Sequence, residues 1–340
     1  MSTRVPTARA VGYRSFAAPR LQHLKLWTTR NRNKDVMEDT KPTLVLDHVS
    51  KSFDEFAAVS DLSLQVRAGR VFGLIGPNGA GKTTTIRMIV NITAPDSGRV
   101  ELFGQTMSTA LQDRIGYLPE ERGLYKRMKI GEQLRFFAEL KDLRGAEAEK
   151  RIDVWLKKLD LFSWKEKRTK ELSKGMQQKV QFITAVIHDP DLVILDEPFS
   201  GLDPVNVELM RDTILEQKAA GKTIILSTHQ MEIAEKLCDD VCMINRSHKV
   251  LDGKLREIRR SFSRNAVALQ FEGGDGLLND PALVANISQH GDDTEVLLVP
   301  GASPQELLRR LVEANAVVTK FELVEPSLHD IFIEKVREAA

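Results

Sequence analysis

The stretch Arg70–Ile92, RVFGLIGPNGAGKTTTIRMIVNI, decides how the rest of the chain is read. Its first part, RVFGLIG, is a short apolar run closing on glycine, the pattern of a strand buried on both faces of a parallel sheet. KTTTIRMIVNI follows without a gap at helical spacing. Between them Gly76–Thr84, GPNGAGKTT, satisfies G-x-x-x-x-G-K-[ST] in the strand–loop–helix setting that gives this motif its meaning. Glycine lets backbone wrap a phosphate without a Cβ clash. The amides of Gly79, Ala80, Gly81 and Lys82 are therefore expected to point inward as an anion nest. Pro77 and Asn78 complete the loop and Thr84 follows it. The helix N-terminus adds partial positive charge. Lys82 offers a point charge to the outer phosphates, and the Thr83 hydroxyl is placed for Mg²⁺. The motif predicts a bound nucleotide and does not say which.

Downstream, LVILDEP (Leu192–Pro198) supplies a second half. Its apolar run predicts a buried strand, with Asp196 emerging at the C-terminal end, the edge where open α/β sheets bind ligands. Asp196 is a candidate to hold Mg²⁺ through water. Glu197, next along, is a candidate general base for an attacking water.

Around these motifs the pattern is α/β. TLVLDHVS and LSLQVRAG read as early strands, TIILSTH as another buried one, and VCMINRSHKVLDG as a closing hairpin. From about Lys126 to Asp189 the strand signal fades into three helical patterns. The predicted class is an α/β phosphate-loop domain over 43–260 with a helical insertion at about 126–189. A small α+β domain is expected over 261–340, where alternating segments such as NAVALQFEG are interspersed with helical ones such as SPQELLRRLVEA. Residues 1–42 stand apart, with eight Arg or Lys and no acid before Asp35. They read as a basic disordered extension, as a targeting peptide, or as sequence ahead of a true start at Met37.

Composition is globular, 42% hydrophobic and 29% charged over 340 residues, with a net charge of +1 that argues against a polycation built for nucleic acid. No segment approaches the roughly 18 apolar residues of a membrane-spanning helix. The two cysteines, Cys238 and Cys242, are read as packing thiols in an intracellular protein.

The order of phosphate loop, helical insertion, LSKGM, VILDEP, SGLDP and STH closely resembles the ATP-binding subunits of ABC transporters, over roughly Leu44 to Leu255. The resemblance implies ATP and Mg²⁺ as ligands and a head-to-tail dimer with two ATPs sandwiched. It makes Leu172-Ser173-Lys174-Gly175-Met176 the signature that caps the γ-phosphate of ATP on the partner subunit. In isolation that stretch reads only as a helix N-cap. Lys174 replaces a glycine of the family pattern and Met176 its glutamine, while Ser173 and Gly175 are kept. By the same resemblance Phe53 stacks on adenine, Val59 packs against the same ring, and Asp203 communicates across the dimer. His229 is the switch histidine at the γ-phosphate. Glu120, in GYLPEERGLY, stands where the family carries a glutamine that senses Mg²⁺ and the membrane partner.

The C-terminal segment resembles the accessory domain of subunits that serve exporters. The expected protein is thus an ATPase subunit, cytoplasmic and held at the inner face of the cell membrane by a separate permease. It would act as a homodimer, with no nucleic-acid partner. The rival from another class is a soluble ABC ATPase acting on ribosomes or DNA. Such chains carry two motif sets or a long coiled coil, and this sequence shows neither.

Overall fold

The computed structural model describes residues 41–338 except 122, 263, 264, 274, 291 and 292. The readings made for residues 1–40 fall outside that range. The chain opens with a hairpin of β1 (Leu44–Phe53) and β2 (Phe56–Val66), then β3 (Val71–Ile75) and α1 (Lys82–Ile89) bracket the glycine loop. β4 (Ser97–Leu102) and β5 (Gln105–Thr106) complete an antiparallel sheet in the order β2-β1-β4-β5. After β6 (Ile115–Leu118) come α2 (Ile130–Glu139), α3 (Gly145–Lys158) and α4 (Lys174–Val186), the three helices expected of the insertion. The chain then alternates through β7 (Leu192–Asp196), α5 (Pro204–Ala219), β8 (Thr223–Thr228), α6 (Met231–Leu237), β9 (Asp240–Asn245), β10 (His248–Lys254) and α7 (Leu255–Ser261).

The central sheet has the order β10-β9-β3-β8-β7-β6, parallel throughout except for the edge strand β10. Its strands are continuous apolar runs because both faces are covered. Leu74, Ile194 and Ile225 face a core shared with α1 and the antiparallel sheet. Ile75, Val193, Leu195, Ile224 and Leu226 face the helices of the other side. There α3 and α4 meet through an edge-on contact of Trp155 with Phe182, ring centres 6.0 Å apart. The cysteines are buried in these cores, and burial pushes both thiols up, Cys242 to about 12, as packing thiols require.

β6, like β4, β5 and a strand at Val284–His290, is one that sequence patterning passed over. It lies so close to α4 that a Cβ at Gly116 would stand 1.9 Å from the Ala185 carbonyl oxygen. Just beyond α4, the His188 ring is wedged against the same strand, with Nε2 donating to the Ile115 carbonyl at 3.1 Å and Nδ1 buried with no partner among the described residues. Burial pushes its pKa down to about 4 from 6.5. Between those values the unfolded chain binds a proton that the folded chain refuses, so stability falls as pH drops from about 6.5 towards 4, by at most about 3 kcal/mol. His188→Gln, which keeps a donor for Ile115, is expected to flatten that slope in urea melts at pH 7 and pH 5. An unchanged slope would exclude this histidine as its source.

The C-terminal region is a four-stranded antiparallel sheet in the order β12-β13-β11-β14, formed by β11 (Ala266–Glu272), β12 (Val284–His290), β13 (Asp293–Leu298) and β14 (Val317–Leu323). Helix α8 (Pro304–Glu313) covers one face, burying Leu307 and Leu311 with Val267, Leu269 and Val296. Helix α9 (Leu328–Glu338) goes elsewhere. Its Leu328 and Ile331 pack with Ala234 and Leu237 in the core of the large domain, and the Leu328 amide donates to Glu235 Oε1 at 2.5 Å. The last helix, assigned to the small domain on sequence, thus rests on α6.

Candidate functional site

Four elements deliver side chains to one edge of the central sheet, the C-terminal ends of its parallel strands. β3 ends in the glycine loop, β6 in Pro119-Glu120, β7 in Asp196-Glu197 and β8 in Thr228-His229. Because β3, β8, β7 and β6 are neighbours in that order, the four motifs come side by side although the sequence spreads them over 150 residues.

In the loop, Gly76 and Ala80 are buried and Pro77, Asn78 and Gly79 are exposed. A Cβ at Gly76 would stand 2.1 Å from the Ile244 carbonyl oxygen, and one at Gly81, where φ is +108°, 2.3 Å from that of Ala58. Gly81 caps α1 without a side-chain hydrogen bond. The first-turn amides of Lys82, Thr83 and Thr84 therefore stay available to an anion. Lys82 Nζ donates to the Gly76 and Pro77 carbonyls at 2.8 and 3.1 Å and lies 3.7 Å from Glu197 Oε1.

Glu197 is held in the left-handed region at φ +49°, unusual for a residue with a side chain. Several contacts enforce it: its amide donates to the Ser227 carbonyl, and its own carbonyl accepts from Ser200 N and Gln178 Nε2. The turn brings the carboxylate, only 7% exposed, back over the sheet edge. There it accepts from the His229 amide at 3.1 Å, and His229 Nδ1 lies 2.8 Å away. Thr228 Oγ1 donates to the second oxygen at 3.5 Å.

Asp196 is fully buried. Ser227 Oγ donates to its Oδ1, and Oδ2 has no hydrogen-bond partner among the described residues. Burial raises its pKa, the Ser227 hydrogen bond opposing that. A buried carboxylate with one orphaned oxygen is a fit for a cation. Thr83 Oγ1 lies 3.5 Å from Glu120 Oε2. Among the described residues there is no cluster of three or more His, Cys, Asp and Glu suited to a metal.

Phe53 stands at the tip of the β1–β2 hairpin, 48% exposed, with Lys51 Nζ 5.6 Å from its ring centre. Val59 is buried beneath Gly81 at 1% exposure, so it supports the loop and presents little surface to a ring. In the signature, Leu172 and Gly175 are buried, Ser173 and Lys174 exposed and Met176 half-buried against the helical core. Ser173 caps α4 by accepting from the Met176 amide at 3.2 Å. A Cβ at Gly175 would meet Leu202 and the Gly201 carbonyl at 3.3 and 3.4 Å, so this glycine seats α4 against the SGLDP loop. Asp203 caps α5 through the Asn206 amide at 2.9 Å, a bond that lowers its pKa.

Sequence reasoning missed several contributors. Ser227 orients Asp196, and Phe56, 62% exposed, faces Phe53 across the hairpin. Gln178 and Gln181 of α4 reach the backbone beside Glu197 and Glu120. An aromatic three residues after Phe53 was the available signal for Phe56; the glutamines gave none.

A glycine cradle, a buried carboxylate at Glu197 with the exposed His229 beside it, and a helix capped by Ser173 together have the make-up of a nucleotide-binding cassette. The chain matches the ABC transporter family over residues 59–200. Over 253–336 it matches the family described as ATP-binding protein DrrA1-3-like, C-terminal domain. It is 43% identical over 293 residues to the uncharacterized ABC transporter ATP-binding protein YhaQ of Bacillus subtilis (strain 168), covering 86% of this chain and 98% of that one. To the Nod factor export ATP-binding protein I of Ralstonia nicotianae it is 34% identical over 301 residues, covering 86% and 93%. A solved ATP binding subunit of an ABC transporter superposes with a TM-score of 0.61 at 34% identity, covering 65% of this chain and 93% of the other. The chain belongs to the ABC transporter ATP-binding family. It is the ATP-binding and ATP-hydrolysing subunit of a transporter.

Proposed function

We propose that this subunit powers an exporter by closing on, hydrolysing and opening around two MgATP molecules shared with a second copy of the chain. The observation that carries the catalytic part is Glu197, buried between Lys82 and His229 at the edge where the glycine loop ends. The carboxylate has a fixed direction, set by its backbone turn and by the His229 amide, and acts as base towards the attacking water. Lys82 leaves the Gly76 and Pro77 carbonyls for the outer phosphates, and the amides of the loop and α1 hold the rest. The His229 imidazole, beside that carboxylate, is placed to bond the γ-phosphate as it is attacked. Thr83, Asp196 through its orphaned Oδ2, and Glu120 would hold Mg²⁺, which when bound supplies charge neutralisation to the phosphates. Phe53 offers its exposed ring to adenine.

What the signature leaves uncovered supports the dimer. Ser173 and Lys174 are exposed at the start of α4, where a phosphate of a facing subunit would meet a hydroxyl and a helix N-terminus. Asp203 lies on the neighbouring loop, suited to report across the same interface. Export is supported by the relatives named for Nod factor export and by the DrrA-like C-terminal match. No helix among the described residues is long and apolar enough to cross a membrane. Attachment to the cytoplasmic face would run through a separate permease; a solved structure 26% identical to this chain, described as part of the ABC transporter complex cbiONQ, supports that reading. Tagged purification from detergent-solubilised membranes tests this. A multi-span membrane protein should co-purify; recovery of only ribosomal or DNA-bound machinery would contradict the transport reading.

A further inference from the structure

Helix α4 begins at Ser173 and carries, on one face, two buried glutamines that bond to neither their own helix nor each other. Gln178 and Gln181 are three residues apart, so they point the same way. Each is 3% exposed. Gln178 Nε2 donates to the Glu197 carbonyl at 3.4 Å. Gln181 does more. Its Nε2 donates to the Pro119 carbonyl at 2.9 Å and the Glu121 carbonyl at 3.1 Å, one on each side of Glu120. Beneath that pair β6 and α4 are in backbone contact, since no Cβ fits between Gly116 and the Ala185 carbonyl. The segment carrying Glu120 is thus tied to the signature helix at two levels, through the strand that leads into it and through the amide that spans it.

The other end of the same arrangement is Glu120 Oε2, 3.5 Å from the Thr83 hydroxyl of the glycine loop. Glu120 therefore belongs to α4 by its backbone and approaches α1 by its side chain. We propose that Gln181 is the positioning residue for the metal end of the site. It fixes Glu120 to the signature helix so that the carboxylate is presented to the cation beside Thr83 and Asp196. A displacement of α4, whose N-terminus faces the partner's ATP, then moves Glu120 relative to that cation, linking the two nucleotides through one side chain. This rests on the proposed placement of Glu120 beside Mg²⁺. A buried glutamine that merely satisfies two carbonyls would stabilise the fold and leave metal binding alone, which makes the two roles separable.

The test uses the full chain with a non-hydrolysable ATP analogue and Mn²⁺ as probe, bound Mn²⁺ being read by electron paramagnetic resonance. Gln181→Met removes both donors at nearly constant volume. It is expected to weaken Mn²⁺ binding roughly 5- to 30-fold, the loss of one or two buried hydrogen bonds expressed as affinity. Analogue affinity in EDTA should be unchanged. Gln181→Asn, one methylene too short to span both carbonyls, should act in the same direction and serves if the methionine variant fails to fold. Glu120→Ala should weaken Mn²⁺ by itself, and adding Gln181→Met to it should then change affinity by less than about twofold, as two residues acting through one contact must. If Glu120→Ala weakens Mn²⁺ while the Gln181 variants do not, the positioning role is wrong and Gln181 is structural. If Glu120→Ala has no effect, the placement of Glu120 falls and the positioning role with it.

Discussion

Glu197→Gln is expected to lower ATP turnover roughly 10²- to 10⁴-fold, the usual loss on removing a general base, with ATP binding retained. The substitution preserves shape. A glutamine oxygen still accepts from the His229 amide at 3.1 Å, and the left-handed turn at this residue is held by Ser200, Gln178 and Ser227, which are untouched. What disappears is the capacity to take a proton. Phosphate release at saturating ATP, compared with equilibrium binding of labelled ATP, separates the two effects. Turnover near the wild-type rate would move the base elsewhere, with the nearby carboxylate of Asp196 the first alternative.

Lys82→Ala should be as damaging and for a different reason. The ammonium lies in a nearly closed place, 6% exposed, and among the described residues its partners are the Gly76 and Pro77 carbonyls and the Glu197 carboxylate. In such surroundings a cation aimed at a phosphate acts with little screening. Its removal is expected to lower turnover about 10²- to 10³-fold, by analogy with loss of one preorganised electrostatic contact in a transition state. ATP affinity should fall about tenfold or more, a charge-assisted hydrogen bond to phosphate being lost. Lys82→Arg should rescue poorly, since a planar fork does not replace a point charge enclosed by two carbonyls. Unimpaired ATP affinity in the alanine variant would mean that the amide nest alone holds the nucleotide.

The parts of this site that sequence discloses are those whose geometry is local. Gly79 and Gly81 hold φ at +77° and +108°, backbone that glycine adopts freely and other residues rarely do, so the turn is written in its own residues. Asp196 ends an apolar run, and strand burial alone predicts that it emerges at the ligand edge. Ser173 is half legible: a helix cap in isolation, with a role beyond capping only by resemblance. β6 is hidden because IGYL is too short to show a period, and its glycine is dictated by Ala185, which lies some seventy residues on. Gln181 is hidden for the same reason, since its partners are carbonyls of a distant loop. Helix α9 is legible as a helix but its seat is not, because Leu328 and Ile331 form an ordinary apolar stripe, and a stripe does not say which of two cores it will join. The departures from the family pattern are easier to accept in three dimensions. Lys174 is exposed, and Met176 turns towards the helical core.

In the proposed working state, two copies of the chain enclose ATP between the glycine loop of one and Ser173 of the other. The most direct measurement is the molar mass of the Glu197→Gln variant by light scattering, with and without saturating MgATP. The variant should be a monomer that becomes a dimer on adding MgATP, and should stay a monomer when Ser173→Glu is added. A variant that binds ATP and remains a monomer at every MgATP concentration would contradict it.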